Sequence, residues 1–169
     1  MFTGRKHVRQ RLFTIFGAVL LTASFCVTSL AVDFSSIEGT YVLQSRTLAD
    51  GTVLTPPAAV GLYTMSDGYV NFNLAVKDKS GKVISRSFIA KYTISGPTFT
   101  EEVLYFAEND GPGIKYDMTA NKRSTEMVEA DGNIEVEYPH GDKIFGSYTP
   151  DSLTAMKSGE FIDKWVKVK

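Results

Sequence analysis

The chain has 169 residues, 43% of them hydrophobic and 22% charged, with 18 Lys and Arg against 19 Asp and Glu. Its first 31 residues hold four of the basic residues and none of the acidic ones, so the remaining 138 (169 − 31) carry 14 basic against 19 acidic groups, a net charge of −5, and no basic stripe for nucleic acid. The one cysteine, Cys26, lies in the same opening stretch; residues 32–169 can therefore form no disulfide, and they are enough for one packed core but not for two.

The chain opens with Arg5, Lys6, Arg9 and Arg11 and then runs uncharged from Leu12 to Val32. A basic start, an apolar stretch and the small residues of Ser29-Leu30-Ala31 are the regions of an export signal, which predicts cleavage after Ala31. The apolar stretch is interrupted by Thr14, Gly17, Thr22 and Ser24 and falls short of the ~20 apolar residues of a membrane span, so no span is expected once the signal is removed. The expected destination is a periplasm or the exterior of the cell.

Beyond the signal, Asp-Gly recurs at Asp50-Gly51, Asp67-Gly68, Asp110-Gly111 and Asp131-Gly132, joined by Ser80-Gly81 and Gly141-Asp142. Both residues of Asp-Gly tolerate positive φ, and between alternating apolar runs the pair marks a hairpin. Strands are predicted at Gly39–Arg46, Gly61–Met65, Tyr69–Lys77, Val83–Ser95, Thr98–Ala107, Ile114–Ala120, Ser124–Ala130, Asn133–Tyr138, Lys143–Tyr148 and Phe161–Val168. The period of two is cleanest where Val70, Phe72, Leu74 and Val76 alternate with Tyr69, Asn71, Asn73 and Ala75. Nine or ten short strands joined by tight turns predict an all-β, antiparallel up-and-down barrel of about eight to ten strands, since closure removes the exposed edges. Two stretches break the rhythm: the loop Thr52–Val60, with Pro56-Pro57, and Thr149–Gly159, where Asp151–Lys157 reads as one helical turn.

Gly39-Thr40-Tyr41-Val42-Leu43, the Asp50-Gly51 turn, the proline loop, Val60 to Gly68 and the closing Trp165-Val166-Lys167-Val168 together resemble the bacterial lipocalin-like domain family. Tyr41 stands where lipocalins proper carry tryptophan, which points to the looser calycin-like group. The resemblance implies a lipocalin-like antiparallel barrel of about eight strands over residues 32–169, a size that can hold one small ligand inside.

The chemistry available is narrow. His140 is the only histidine after the signal, in a Tyr-Pro-His-Gly-Asp turn, so a catalytic triad or a histidine-rich metal site would have to be built on it alone; no metal, no cofactor and no catalytic residue is assigned. Glu135 and Glu137 alternate with apolar residues and read as the wet face of a strand, and Lys122-Arg123 as a solvated turn. More informative are polar residues in phase with apolar ones. Arg86 shares the phase of Ile84, Phe88, Ala90, Tyr92 and Ile94, and Glu101 that of Phe99, Val103 and Tyr105. A buried charge is costly unless paired, so these two groups point to a ligand site, to a pair with each other near the rim, or to a bulge that moves Arg86 outward. In the ligand reading, Arg86 anchors a carboxylate or enolate, with Glu101, Phe88, Tyr92, Tyr105 and Tyr116 around it and Thr52–Val60 as a lid.

The expected function is an exported barrel that binds a small, largely apolar molecule. Two other readings use the same barrel: a solid one that contacts a protein partner through its loops, and a metal-free isomerase or cyclase steered by Arg86, Glu101 or a tyrosine.

Overall fold

The computed structural model describes residues 32–78, 80–139 and 143–169; the export signal predicted for residues 1–31 and His140 lie outside the described residues. Residues 32–169 form one compact unit. After a 3-10 helix at Phe34–Ile37 come twelve strands: β1 (Gly39–Leu48), β2 (Val53–Leu54), β3 (Ala59–Ser66), β4 (Tyr69–Lys77), β5 (Val83–Ser95), β6 (Thr98–Asn109), β7 (Ile114–Asp117), β8 (Asn121–Ala130), β9 (Asn133–Glu137), β10 (Ile144–Thr149), β11 (Ser152–Lys157) and β12 (Phe161–Lys167). Ten of them run round the sheet in chain order, β1-β3-β4-β5-β6-β8-β9-β10-β11-β12, and β12 pairs back onto β1 from Tyr41↔Lys167 to Leu48↔Phe161. Every pairing is antiparallel. The sheet is thus a closed up-and-down barrel of ten strands, the lipocalin-like architecture, with β2 added beside β1 and β7 beside β6.

Hairpin chemistry sets the register. Asp67 and Gly68 take φ of 51° and 76°, and Asp131 and Gly132 take 53° and 79°; two successive positive φ values make the turn whose twist matches its strands. The alternation of β4 is met as read, with Val70, Leu74 and Val76 buried and Tyr69, Asn71 and Asn73 exposed.

Two expectations need correction. Asp151–Lys157 is not a helical turn: Ser152–Lys157 is β11, paired with β10 on one side and β12 on the other. Leu, Ala, Met and Lys are good helix formers, but this segment fills the last gap in the barrel, and two ladders of backbone hydrogen bonds override local propensity. The strand predicted at Ile114–Ala120 stops at Asp117, and Asn121 already belongs to β8, which hands the place beside β6 from β7 to β8.

One end of the barrel is plugged. Ile37 of the 3-10 helix is buried, and its carbonyl accepts a 2.7 Å hydrogen bond from Tyr41 Oη. Lys167 Nζ donates to the Ser36 carbonyl at 2.8 Å, and Tyr92 Oη to Glu38 Oε1 at 2.6 Å. Between plug and open end the wall depends on one close approach. A methyl group on Gly61 would lie 2.6 Å from Cη2 and 2.9 Å from Cζ3 of Trp165, and 3.3 Å from the Asn73 carbonyl oxygen. Gly61→Ala is expected to displace the indole and to cost about 1–3 kcal/mol as overpacking. Thermal melts would check this; an unchanged melting temperature together with an unchanged tryptophan emission would contradict it.

Candidate functional site

The half of the barrel away from the plug is hollow. A cavity of about 480 Å³ lies between the inner faces of the strands, within the roughly 300–1,000 Å³ range of small-molecule sites. Its apolar wall is aromatic. Phe72 stacks on Phe88 with ring centroids 5.0 Å apart, lies 6.0 Å from Trp165 and meets Tyr63 edge-on at 6.3 Å. Three phenols gather beside this wall: Tyr138 and Tyr148 share a short hydrogen bond, and Tyr148 Oη donates to Tyr63 Oη at 3.4 Å. Tyr63 and Tyr138 face the cavity. Burial pushes all three phenols well above their ordinary pKa, and the charge of Glu101 adds to the rise for Tyr63 and Tyr138.

Charged groups complete the lining. Arg46 reaches Asp163 with two hydrogen bonds, Nε to Oδ1 at 2.6 Å and Nη2 to Oδ2 at 2.5 Å, and its guanidinium lies 4.1 Å over the Phe161 ring. Asp163 is only 2% exposed, and burial raises its pKa despite the opposing pull of Arg46. Arg86 Nε donates to Glu108 Oε1 at 2.6 Å. Glu101, 3% exposed, sits opposite Tyr92 on β5 and Arg123 on β8 in the strand register. At the mouth, where Asp117, Thr119, Asn121 and Arg123 are exposed, Arg123 donates to the Pro139 carbonyl at 2.9 Å and to Asn121 Oδ1 at 3.3 Å.

Of the residues the sequence singled out, Arg86, Phe88 and Glu101 come together on the cavity wall. Tyr92 is in the barrel but at the plugged end, bonded to Glu38. Tyr105 and Tyr116 do not line the cavity; their rings lie 6.3 Å from each other, and Tyr116 is 64% exposed. The reason is a bulge. Ile89 pairs with Tyr105 and Ala90 with Val103, so Leu104 is an extra residue on β6. Phe99, Glu101 and Val103 keep the expected phase, but beyond Leu104 the inward positions become Phe106 and Glu108. The same bulge supplies Arg86 with Glu108 across the register. Thr52–Val60 contributes no residue to the cavity lining. Lys122-Arg123 is not a turn but part of β8, with Arg123 at the mouth.

Sequence reasoning also missed Arg46, Asp163, Trp165 and Tyr138. Asp163 and Trp165 share the phase of Phe161, so the rule that found Arg86 could have found them. Arg46 had no such signal. Tyr41 and Leu43 are buried at odd positions, and Gln44 is a second extra residue, between Leu43↔Trp165 and Ser45↔Lys164, that brings Arg46 inward.

No protein-family model matches the sequence, and no curated protein matches it. Among solved structures, a lipocalin-like protein from Bacteroides uniformis aligns over 79% of this chain and 99% of its own, with 15% identity and a TM-score of 0.36. At that distance the architecture rests on this chain's own pairing: a closed, ten-stranded antiparallel meander, plugged at one end and hollow at the other, which is a lipocalin-like barrel.

Proposed function

We propose that this protein is an exported binding barrel that holds one small, largely apolar molecule in the cavity between Phe72, Phe88, Trp165 and the tyrosines. The observation that carries the reading is the hollow half of the barrel: aromatic side chains surround about 480 Å³ of space. A barrel acting only through its outer loops needs no such space, and close packing would ordinarily fill it. Export follows from the order of basic, apolar and small residues in the first 31 positions. Among the described residues no helix is long and apolar enough to cross a membrane.

Trp165 is the only tryptophan of the chain and lies on the cavity wall, so its emission reports directly on occupancy. Titration with a panel of apolar molecules of up to about twenty-five heavy atoms is expected to change that emission saturably, with one site per chain. Ala155 also lines the cavity and is partly buried. Ala155→Phe should fill the space and weaken binding by at least about tenfold while the protein still melts cooperatively. If no molecule in the panel gives a saturable change, or if Ala155→Phe binds as well as the parent, the proposal fails.

A further inference from the structure

We propose that two copies of this chain join through β7 (Ile114–Asp117), each adding the other's β7 to its own sheet as an antiparallel neighbour. β7 pairs with β6 on one side, and among the described residues no strand pairs with its other side. All four of its residues are exposed, so the backbone N–H and C=O groups that point away from β6 lie at an open edge. The ten-stranded ring itself has no such edge, because β12 closes it onto β1. β2, the other added strand, is only two residues long.

The side chains say what the edge fits. Ile114 is 56% exposed, Tyr116 64% and the following Met118 74%, large apolar groups at every second position. Between them stand Lys115 and Asp117, of opposite charge. This order is self-complementary. A two-fold axis through Tyr116 sets Tyr116 opposite its own copy, Ile114 opposite Met118 and Lys115 opposite Asp117. Other placements lose the match: an axis through Lys115 sets lysine against lysine, one through Asp117 sets aspartate against aspartate, and one between Lys115 and Tyr116 sets Ile114 against Asp117. Lys115 already bonds Asp110 at 2.5 Å, but an ammonium has three donors and its side chain stays 64% exposed. A foreign strand would satisfy the backbone edge equally well; the mirrored order about Tyr116 serves only pairing with a second copy. Asp117 and Thr119 also line the cavity, so the join lies beside its mouth.

The test uses residues 32–169, the compact unit, which hold no cysteine of their own. So short a pairing belongs with small, reversible interfaces, so sedimentation equilibrium from about 1 to about 500 μM is expected to show a monomer passing into a dimer. With oxidised glutathione, Tyr116→Cys should form a disulfide-linked dimer, because directly opposite Cα atoms lie about 4.5–5.5 Å apart. Lys115→Cys should stay unlinked, since its two copies stand diagonally, beyond the ~7 Å that a disulfide spans. Lys115→Asp should weaken the dimer at least about tenfold, and adding Asp117→Lys should restore it. A monomer at every concentration overturns the proposal. So does a dimer that Lys115→Asp leaves intact, or one in which Lys115→Cys links as readily as Tyr116→Cys. If the charge variants do not fold, the two cysteine variants decide.

Discussion

Replacing Arg46 by leucine is expected to cost about 3–5 kcal/mol at neutral pH, because it leaves the carboxylate of Asp163 buried without its guanidinium. The two hydrogen bonds and the contact over Phe161 do not make this pair a large net source of stability, since both ions were taken out of water to form it. The asymmetry is what makes the single variant severe. Arg46→Leu combined with Asp163→Leu should recover most of the loss. The deficit also has a pH signature. Burial raises the pKa of Asp163 above its ordinary value of 3.8 even with Arg46 present, and loss of the guanidinium can only raise it further. The folded variant therefore takes up a proton more readily than its unfolded chain does. Its deficit is full above the folded pKa and shrinks as pH falls through it. Urea melts of the parent, the single and the double variant at several pH values would check this. A single variant that loses less than about 1 kcal/mol at neutral pH would show that the pair is dispensable.

The second large effect is alkaline unfolding. Tyr41, Tyr63, Tyr92, Tyr138 and Tyr148 are held above the ordinary phenol pKa of 10.0, chiefly by burial in every case. A raised folded pKa means that the native state keeps a proton the unfolded chain gives up. The stability is complete below the unfolded pKa near 10 and is lost as pH rises above it. Each retained proton removes about 1.4 kcal/mol per pH unit, so five together can unfold a domain of ordinary stability within one or two units. Tyrosinate absorbance and far-ultraviolet circular dichroism, followed together, should show these five phenols ionising with the loss of strand signal. Ionisation of all eight tyrosines while the strand signal persists would refute the expectation. Tyr148→Phe should shift the transition, since it removes the phenol that joins Tyr63 to Tyr138.

Both predictions concern residues that strand alternation identifies only in part, and this separates what is local from what is not. The turns, the all-β class and most strand positions were legible because their causes lie within a few residues. Asp-Gly permits two positive φ values in succession, and a half-buried strand must alternate. The bounds of β4 and β5 coincide with those read from the sequence. Arg86, Phe88 and Glu101 were found by phase alone and do line the cavity.

What only the tertiary structure decided has two physical sources. The first is the bulge. An extra residue at Gln44 and another at Leu104 reverse the facing of everything beyond them, which turns Arg46 and Glu108 inward and Tyr105 outward. A bulge is forced by the fit between two strands, so neither strand records it alone. The second is closure. Ser152–Lys157 has a composition suited to a helical turn, yet it becomes a strand because β10 and β12 each offer it a ladder of backbone hydrogen bonds. The sequence by itself determined an all-β chain of alternating strands after a basic and apolar N-terminal stretch. The pairing in space decided which charges share the interior and left a cavity among the aromatic rings, because facing and closure depend on neighbours that are distant along the chain.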